Sequence, residues 1–286
     1  MERTDGSGEI YLVGCSRSVL DLNQEERDRI NRARCVVGLN KFVYFNKIAG
    51  IVPTHAWFTD DHPPSPRILK DIFTYCHREH LRRLTFVLST GYERSLRVGA
   101  LRYNLARVRR RLRLRRRKDW PLLHGPAGCR FEFVARHDWL EGGPWATSLD
   151  EPLYSFRTAF TSALNYLAIR YPGSTIRLVG TDFNTPGYFF EEEMRRQALP
   201  WDDWTAAMQI EHGTHSAAVT YDGATVFDKF PYIREQLDRA GVRLTCNNPD
   251  SEAVLRGLAS FSPIVPGVEA WEPMAIQPVR PNGARP

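Results

Sequence analysis

No apolar run in the 286-residue chain approaches the roughly 18 to 20 residues that a membrane-spanning helix needs. The first eight residues, Met1 to Gly8, are polar and carry both charge signs. They lack an apolar stretch of signal-peptide type, so a cytoplasmic protein is expected. Cysteine is scarce: Cys15, Cys35, Cys76, Cys129 and Cys246 are odd in number, widely spaced and never form a CxxC pair. That pattern indicates neither a zinc site nor a disulfide framework, and leaves buried free thiols as the reading. There is no GxGxxG or Walker-type phosphate loop and no internal repeat. Hydrophobic residues at 42% and charged residues at 25% exclude general disorder away from the ends.

What is present in excess is arginine, in one place. The net charge is +6, yet Arg107, Arg109, Arg110, Arg111, Arg113, Arg115, Arg116, Arg117 and Lys118 lie within one short stretch, and the remainder of the chain is slightly acidic. The basicity therefore needs a local explanation. Leu101, Leu105, Val108, Leu112 and Leu114 recur between the charges, which predicts a basic amphipathic helix over 98–118. A solvated helix face is the first reading. Contact with an anionic membrane surface, at about 1 kcal/mol per basic residue, is the second, and would place the protein at the inner face of the membrane. Nucleic acid ranks third, because no RNA-binding motif is present and aromatics are sparse.

Short apolar runs alternate with helical patterns along the rest of the chain. Strands are expected at Glu9–Gly14, Arg34–Asn40, His55–Asp60, Leu84–Ser89, Phe131–Val134, Thr175–Gly180 and Val242–Cys246. Helices are expected at Gln24–Ala33, Ser65–Glu79, Pro152–Tyr171, Gly223–Ala240 and Asp250–Ser260. This alternation predicts an α/β protein with a mostly parallel, doubly wound sheet. One domain is expected over 9–262, preceded by a flexible N-terminus over 1–8. A lid insert is expected over 184–214, and an extended Pro- and Gly-rich tail over 263–286.

In such sheets ligands bind beyond the carboxyl ends of the strands, near the switch point in strand order. Four stretches qualify: Gly14–Ser18, Leu39–Lys41, Thr59–His62 and Gly180–Tyr188. The small residues of the first allow backbone N–H groups to approach an anion, though an ordinary turn fits them equally. Asn40 offers an amide to a ribose or base edge, or caps the next turn. Asp60 and Asp61 are carboxylates of the kind that hold Mg²⁺; surface or cap residues are the preferred reading. His212 and His215 share a polar loop, and an imidazole there suits general-base chemistry on a hydroxyl or, at this spacing, binding of a metal; taken alone, a satisfied surface histidine is the preferred reading.

Several segments occur in a telling order: Gly14-Cys15-Ser16-Arg17-Ser18-Val19, Gly38-Leu39-Asn40-Lys41-Phe42, Phe160-Thr161-Ser162-Ala163-Leu164, Ile176 to Phe183, His215-Ser216, and Val242 to Ser251. The series resembles the bacterial sialyltransferases of glycosyltransferase family 42, over most of Gly8 to Ser262. The resemblance implies a Rossmann-like, GT-A-like nucleotide-binding fold. The activity implied is transfer of sialic acid from a CMP donor to a glycan hydroxyl, with inversion and no required metal. His215 is then the general base. Gly14, Cys15 and Ser16 lie against the donor phosphate and Asn40 contacts the nucleotide. Asp60 faces the donor where the family has an amide, and Ser162 approaches the sugar carboxylate. Thr161, Gly180, Thr181 and Asp182 complete the donor pocket. The family's Asn is replaced by Cys15. Of two tyrosines that stabilise the departing phosphate, the first is Asn184 here and the second is Tyr188. The family's arginine before Thr-Ser falls at Arg157, four residues before Thr161.

Two other readings stand beside this one. The glycine turn and the Gly-x-Asp segment are shared with pterin pyrophosphokinase-like proteins, which would make Asp60, Asp61 and Asp182 ligands of Mg²⁺. A non-catalytic membrane- or nucleic-acid-binding protein would instead work through the arginine tract. The sequence leaves a homo-oligomer open.

Overall fold

The computed structural model describes residues 8–60, 65–96, 123–138, 140–184, 187–199, 201, 218, 220 and 223–266. Eight strands form a parallel sheet in the order β5-β4-β3-β2-β1-β6-β7-β8. They are β1 (Ile10–Val13), β2 (Cys35–Leu39), β3 (His55–Phe58), β4 (Thr85–Ser89), β5 (Arg130–Val134), β6 (Thr175–Val179), β7 (Arg243–Cys246) and β8 (Ser260–Phe261). The chain adds strands outward from β1 to β5, then returns to place β6 on the free side of β1. The order therefore reverses between β1 and β6, which defines a doubly wound α/β sheet with its switch point there.

The centre of the sheet is explained by strand composition. Ile10, Tyr11, Leu12 and Val13 are all fully buried, so β1 is covered on both faces and reads as a continuous apolar run. Leu12 and Ile10 face a core formed with α5 (Ala159–Arg170) and α7 (Phe230–Arg239). Tyr11 and Val13 face the opposite core, with α1 (Gln24–Arg32) and α3 (Ser65–Arg78). The remaining helices are short: α2 (Asn46–Ala49), α4 (Glu93–Leu96), α6 (Glu191–Arg196) and α8 (Glu252–Leu255). Among the described residues no helix is long and apolar enough to cross a membrane.

Polar groups fix the layers. Asn23 and Glu26 close a capping box at the start of α1, satisfying N–H groups that the helix itself leaves open. Glu9 accepts two bonds from Arg29 of α1 at 3.0 and 2.7 Å and pairs with Arg177 of β6 at 3.2 Å. This half-buried carboxylate ties β1, α1 and β6 together. On the other face the Asn165 amide is fully buried. It accepts from the Ala146 and Tyr154 N–H groups and donates to the Ala146 carbonyl.

That amide explains one departure from expectation. The helix expected at Pro152–Tyr171 starts only at Ala159. Leu153, Tyr154 and Phe156 are buried as an irregular strand-like run whose backbone is satisfied by Asn165 and by the Thr161 hydroxyl. The expected last helix, Asp250–Ser260, is likewise only Glu252–Leu255. Gly257 at φ +73° ends it, and Ser260–Phe261 continue as an edge strand. Ile264, within the expected tail, is buried in the core with α3. The basic tract over 107–118 lies outside the described residues.

A methyl group at Gly14 would sit 2.2 Å from the Gly180 carbonyl oxygen. Overpacking against backbone cannot be relieved by a rotamer change. Gly14→Ala is predicted to cost roughly 3 kcal/mol or more in urea denaturation, while Gly8→Ala, with nothing within 4 Å, leaves the midpoint in place.

Candidate functional site

The turns after β1 and β6 are built as one unit. The Gly14 N–H donates to the Val179 carbonyl at 2.8 Å, and the Ser16 N–H to the Gly180 carbonyl at 2.9 Å. The Ser16 hydroxyl accepts from the Asp182 N–H at 3.3 Å. Ser16 also bridges Tyr188 in antiparallel fashion, and the Phe189 N–H donates to the Cys15 carbonyl at 3.0 Å. Gly180 and Phe183 both take positive φ, +61° and +62°. For phenylalanine that is a strained conformation. Gly14, Ser16, Gly180, Asp182 and Tyr188 are thus brought together at the switch point. The expectation that the turn amides reach an anion is corrected at two positions: the Gly14 and Ser16 N–H groups are taken by β6 carbonyls.

The end of β2 completes the same edge. Asn40 is exposed at φ +51°, another strained backbone. Cys15 donates its thiol to the Leu39 carbonyl at 3.5 Å, and burial pushes its pKa up to about 12, so the sulfur is a protonated thiol and not a nucleophile at neutral pH. Lys41 comes directly after Asn40 and is only 8% exposed. Its ammonium lies 6.0 Å from the ring centroid of Trp201. Desolvation pulls its pKa down to about 8, against smaller opposing effects of Cys15 and Asp60. Asp60, at the end of β3, is therefore close enough to Lys41 to be felt. Within the segment 184–214, expected to be a lid, Phe189, Phe190 and Trp201 are buried, while α6 between them buries no residue. Phe189 and Phe190 are buried against Phe42 and Phe45, and Trp201 contacts Tyr44 and donates to Asp71 at 2.9 Å.

The Asp182 carboxyl is 1% exposed. Burial raises its pKa. The Asn248 amide donates to Oδ1 at 3.0 Å, while the Ser18 hydroxyl faces the carboxyl beyond strict hydrogen-bond geometry. Asp182 Oδ2, Thr181 Oγ1 and Asn247 Oδ1 are buried without a hydrogen-bond partner among the described residues, which is costly unless function retains them. Asn184 donates to the Asp250 carbonyl.

Arg157, Thr161 and Ser162 belong to the α5 side of the same edge. The Thr158 N–H donates back to the Phe156 carbonyl at 2.8 Å around Arg157, whose φ is +62°, a tight and strained turn. Phe160 of α5 meets Phe183 with ring centroids 5.1 Å apart. Thr161 and Ser162 are fully buried. Thr161 donates to the Thr158 carbonyl at 2.9 Å and Ser162 to the Ala159 carbonyl at 3.1 Å, so both hydroxyls serve the start of α5. Arg136 links this side to β3, donating to the Thr59 carbonyl at 3.2 Å and the Ser155 hydroxyl at 3.5 Å.

His215, Asp61 and His62 lie outside the described residues. Among the described residues no group of three His, Cys, Asp or Glu side chains gathers to hold a metal ion. Arg136 was not singled out from the sequence, while Lys41 fell within the candidate stretch Leu39–Lys41 and Asn247–Asn248 within the segment Val242–Ser251, none with a role of its own. The signal for Lys41 was a lone cation opening the apolar run Phe42-Val43-Tyr44-Phe45 at a strand end. Compared with family models, curated proteins and solved structures, the chain matches none.

A buried ammonium destabilises the protein that carries it. The unfolded chain holds the Lys41 proton up to its ordinary value of 10.5, the folded chain only to about 8. Stability should therefore rise between those two values and be lowest below them. Thermal melts of the wild type are predicted to show that rise between pH 8 and 10.5, and Lys41→Met is predicted to lose it.

Proposed function

We propose that this chain is a nucleotide-sugar-dependent glycosyltransferase that takes its sugar from a CMP-linked donor, with sialic acid as the donor sugar. One observation carries the reading. The Gly14–Ser16 turn, Asn40–Lys41, Asp60, Asp182 and Tyr188 are assembled at the carboxyl edge around the β1/β6 switch point, where doubly wound sheets bind nucleotides. Strained backbone at Asn40, Arg157 and Phe183 on that edge, together with a buried carboxyl and a buried ammonium, is the kind of stored cost that functional sites retain. The donor class comes from the motif resemblance.

In this reading the departing nucleotide phosphate gains negative charge as the bond to the sugar breaks. The Tyr188 hydroxyl and the Arg157 guanidinium are the groups assigned to meet that charge. Asn40 holds the nucleotide. The Asp182 carboxyl positions the turn after β6 through Asn248, and its own strained neighbour Phe183 packs on α5. His215 takes the proton from the acceptor hydroxyl as the new glycosidic bond forms. A base whose pKa lies near neutrality contributes about 10²- to 10⁴-fold to such a step.

Thermal shift against CMP, CDP, UDP, GDP and ATP, each with and without Mg²⁺, tests the donor class. Stabilisation by CMP without a metal requirement is expected. Stabilisation by ATP only with Mg²⁺ would contradict it and favour the pyrophosphokinase-like alternative. His215→Ala should lower turnover by about 10²-fold or more and leave CMP affinity within about twofold; transfer at the wild-type rate would remove His215 as the base.

A further inference from the structure

We propose that His55 is an acid-sensitive latch on the amino edge of the sheet: its neutral imidazole ties the starts of β2 and β3 to the end of α5, and protonation releases them. The latch lies at the end of the sheet opposite the candidate site and rests on nothing in the transferase reading.

The latch is built from side chains of three elements. Cys35 opens β2 and is fully buried. Thr54 precedes β3, and His55 opens that strand half-buried. Tyr171 caps the end of α5. His55 Nδ1 lies 2.8 Å from the Thr54 hydroxyl and 3.5 Å from the Cys35 sulfur. The Tyr171 hydroxyl faces the same sulfur. The Thr54 hydroxyl also accepts from the Val36 N–H at 2.8 Å, so this one oxygen joins the imidazole to the backbone of β2.

The hydrogen bonds define the form of the ring. The Thr54 hydroxyl has one proton to give. Its acceptors in reach are His55 Nδ1 at 2.8 Å and the Val36 carbonyl at 3.2 Å, and that carbonyl already takes the Thr54 N–H at 2.9 Å. The shorter contact assigns the hydroxyl proton to Nδ1, which leaves the ring neutral with its own proton on Nε2. Acid would place a hydrogen on Nδ1 as well. Both neighbours of Nδ1 are then poor acceptors, because the Thr54 oxygen is taken by the Val36 N–H and a thiol accepts weakly.

The charge would find no compensation. Glu132 and Arg170 are the charged groups felt by the ring. The Glu132 carboxylate is committed to the Tyr166 hydroxyl at 2.6 Å and to Arg170 at 2.9 Å. Arg34 lies 5.2 Å from the centroid of the Tyr171 ring, and burial keeps the Cys35 thiol protonated by raising its pKa. Desolvation pulls the His55 pKa below its ordinary value of 6.5, opposed by Glu132 and assisted by Arg170. The unfolded chain therefore binds this proton more readily than the folded one. The stability that the latch contributes is complete above pH 6.5 and is lost as pH falls from there through the lower folded value.

Thermal melts and hydrogen–deuterium exchange of the full chain at about pH 7.5 and about pH 5.5 test the latch. Wild type is compared with His55→Asn, whose amide oxygen can take the place of Nδ1 but does not titrate. The melting temperature of the wild type should fall by at least about 2 °C more than that of the variant between the two conditions. Acid should also strip protection from wild-type peptides covering 34–37, 53–57 and 168–172 more than from β1, and the variant should keep it. Imidazole NMR of the wild type should show His55 with Nδ1 unprotonated and a titration midpoint below 6.5. Equal acid sensitivity of wild type and His55→Asn would overturn the proposal. Should the variant not fold, the wild-type readouts decide: a midpoint at or above 6.5, or acid loss of protection no greater in those peptides than in β1, would overturn it equally.

Discussion

Backbone contact between two glycines holds this structure's central edge together. Gly14 ends β1 and Gly180 ends β6, and a Cβ on the first would collide with the carbonyl of the second. With no side chain at either position, the two turns exchange hydrogen bonds directly and the switch point of the sheet closes into one rigid unit. The consequence is chemical as well as structural. Two amides of the β1 turn, those of Gly14 and Ser16, are spent on β6 carbonyls. Lys41 is held at 8% exposure beside the same turn.

Burial at the edge has been arranged at a cost. An ammonium and a carboxyl are each desolvated, and three non-glycine residues hold positive φ, at Asn40, Arg157 and Phe183. Each such feature typically costs on the order of 1–3 kcal/mol. The opposite, amino-terminal side of the sheet shows a different pattern. Glu9, Arg29 and Arg177 pair there, and Glu132 accepts from Tyr166 and Arg170. These charges are matched, which is what stability alone would select. Positive φ is not confined to the carboxyl edge, since His80 and Arg83 hold it ahead of β4; what sets the carboxyl edge apart is its desolvated ammonium and carboxyl.

Much of the fold was legible in the sequence because β1, β2, β4 and β6 are short apolar runs closed by Gly, Asn, Ser or Thr turns, and because α1 and α3 carry clear helical spacing. β8 was missed, since two residues after a glycine carry no periodic signal. The start of α5 was misplaced, since Leu153, Tyr154 and Phe156 are as apolar as a helix face but are held extended by polar side chains of α5 itself, Asn165 and Thr161. Of the candidate site, the glycine turn, Asn40 and Asp182 were legible as strand-end residues. Lys41 lay in the candidate stretch Leu39–Lys41, but its burial was not legible, because Trp201 beside it is far away in the chain. The same long-range packing buries Phe189, Phe190 and Trp201 of the expected lid segment.

Hydrogen–deuterium exchange with and without CMP tests the central claim most directly, because it asks where on the sheet a nucleotide lands without presuming any chemistry. Added protection is predicted to be confined to peptides covering 13–18, 39–46 and 180–190, at the carboxyl edge. Protection at the amino edge, along the outer face of α7, or nowhere in the described sheet would contradict it.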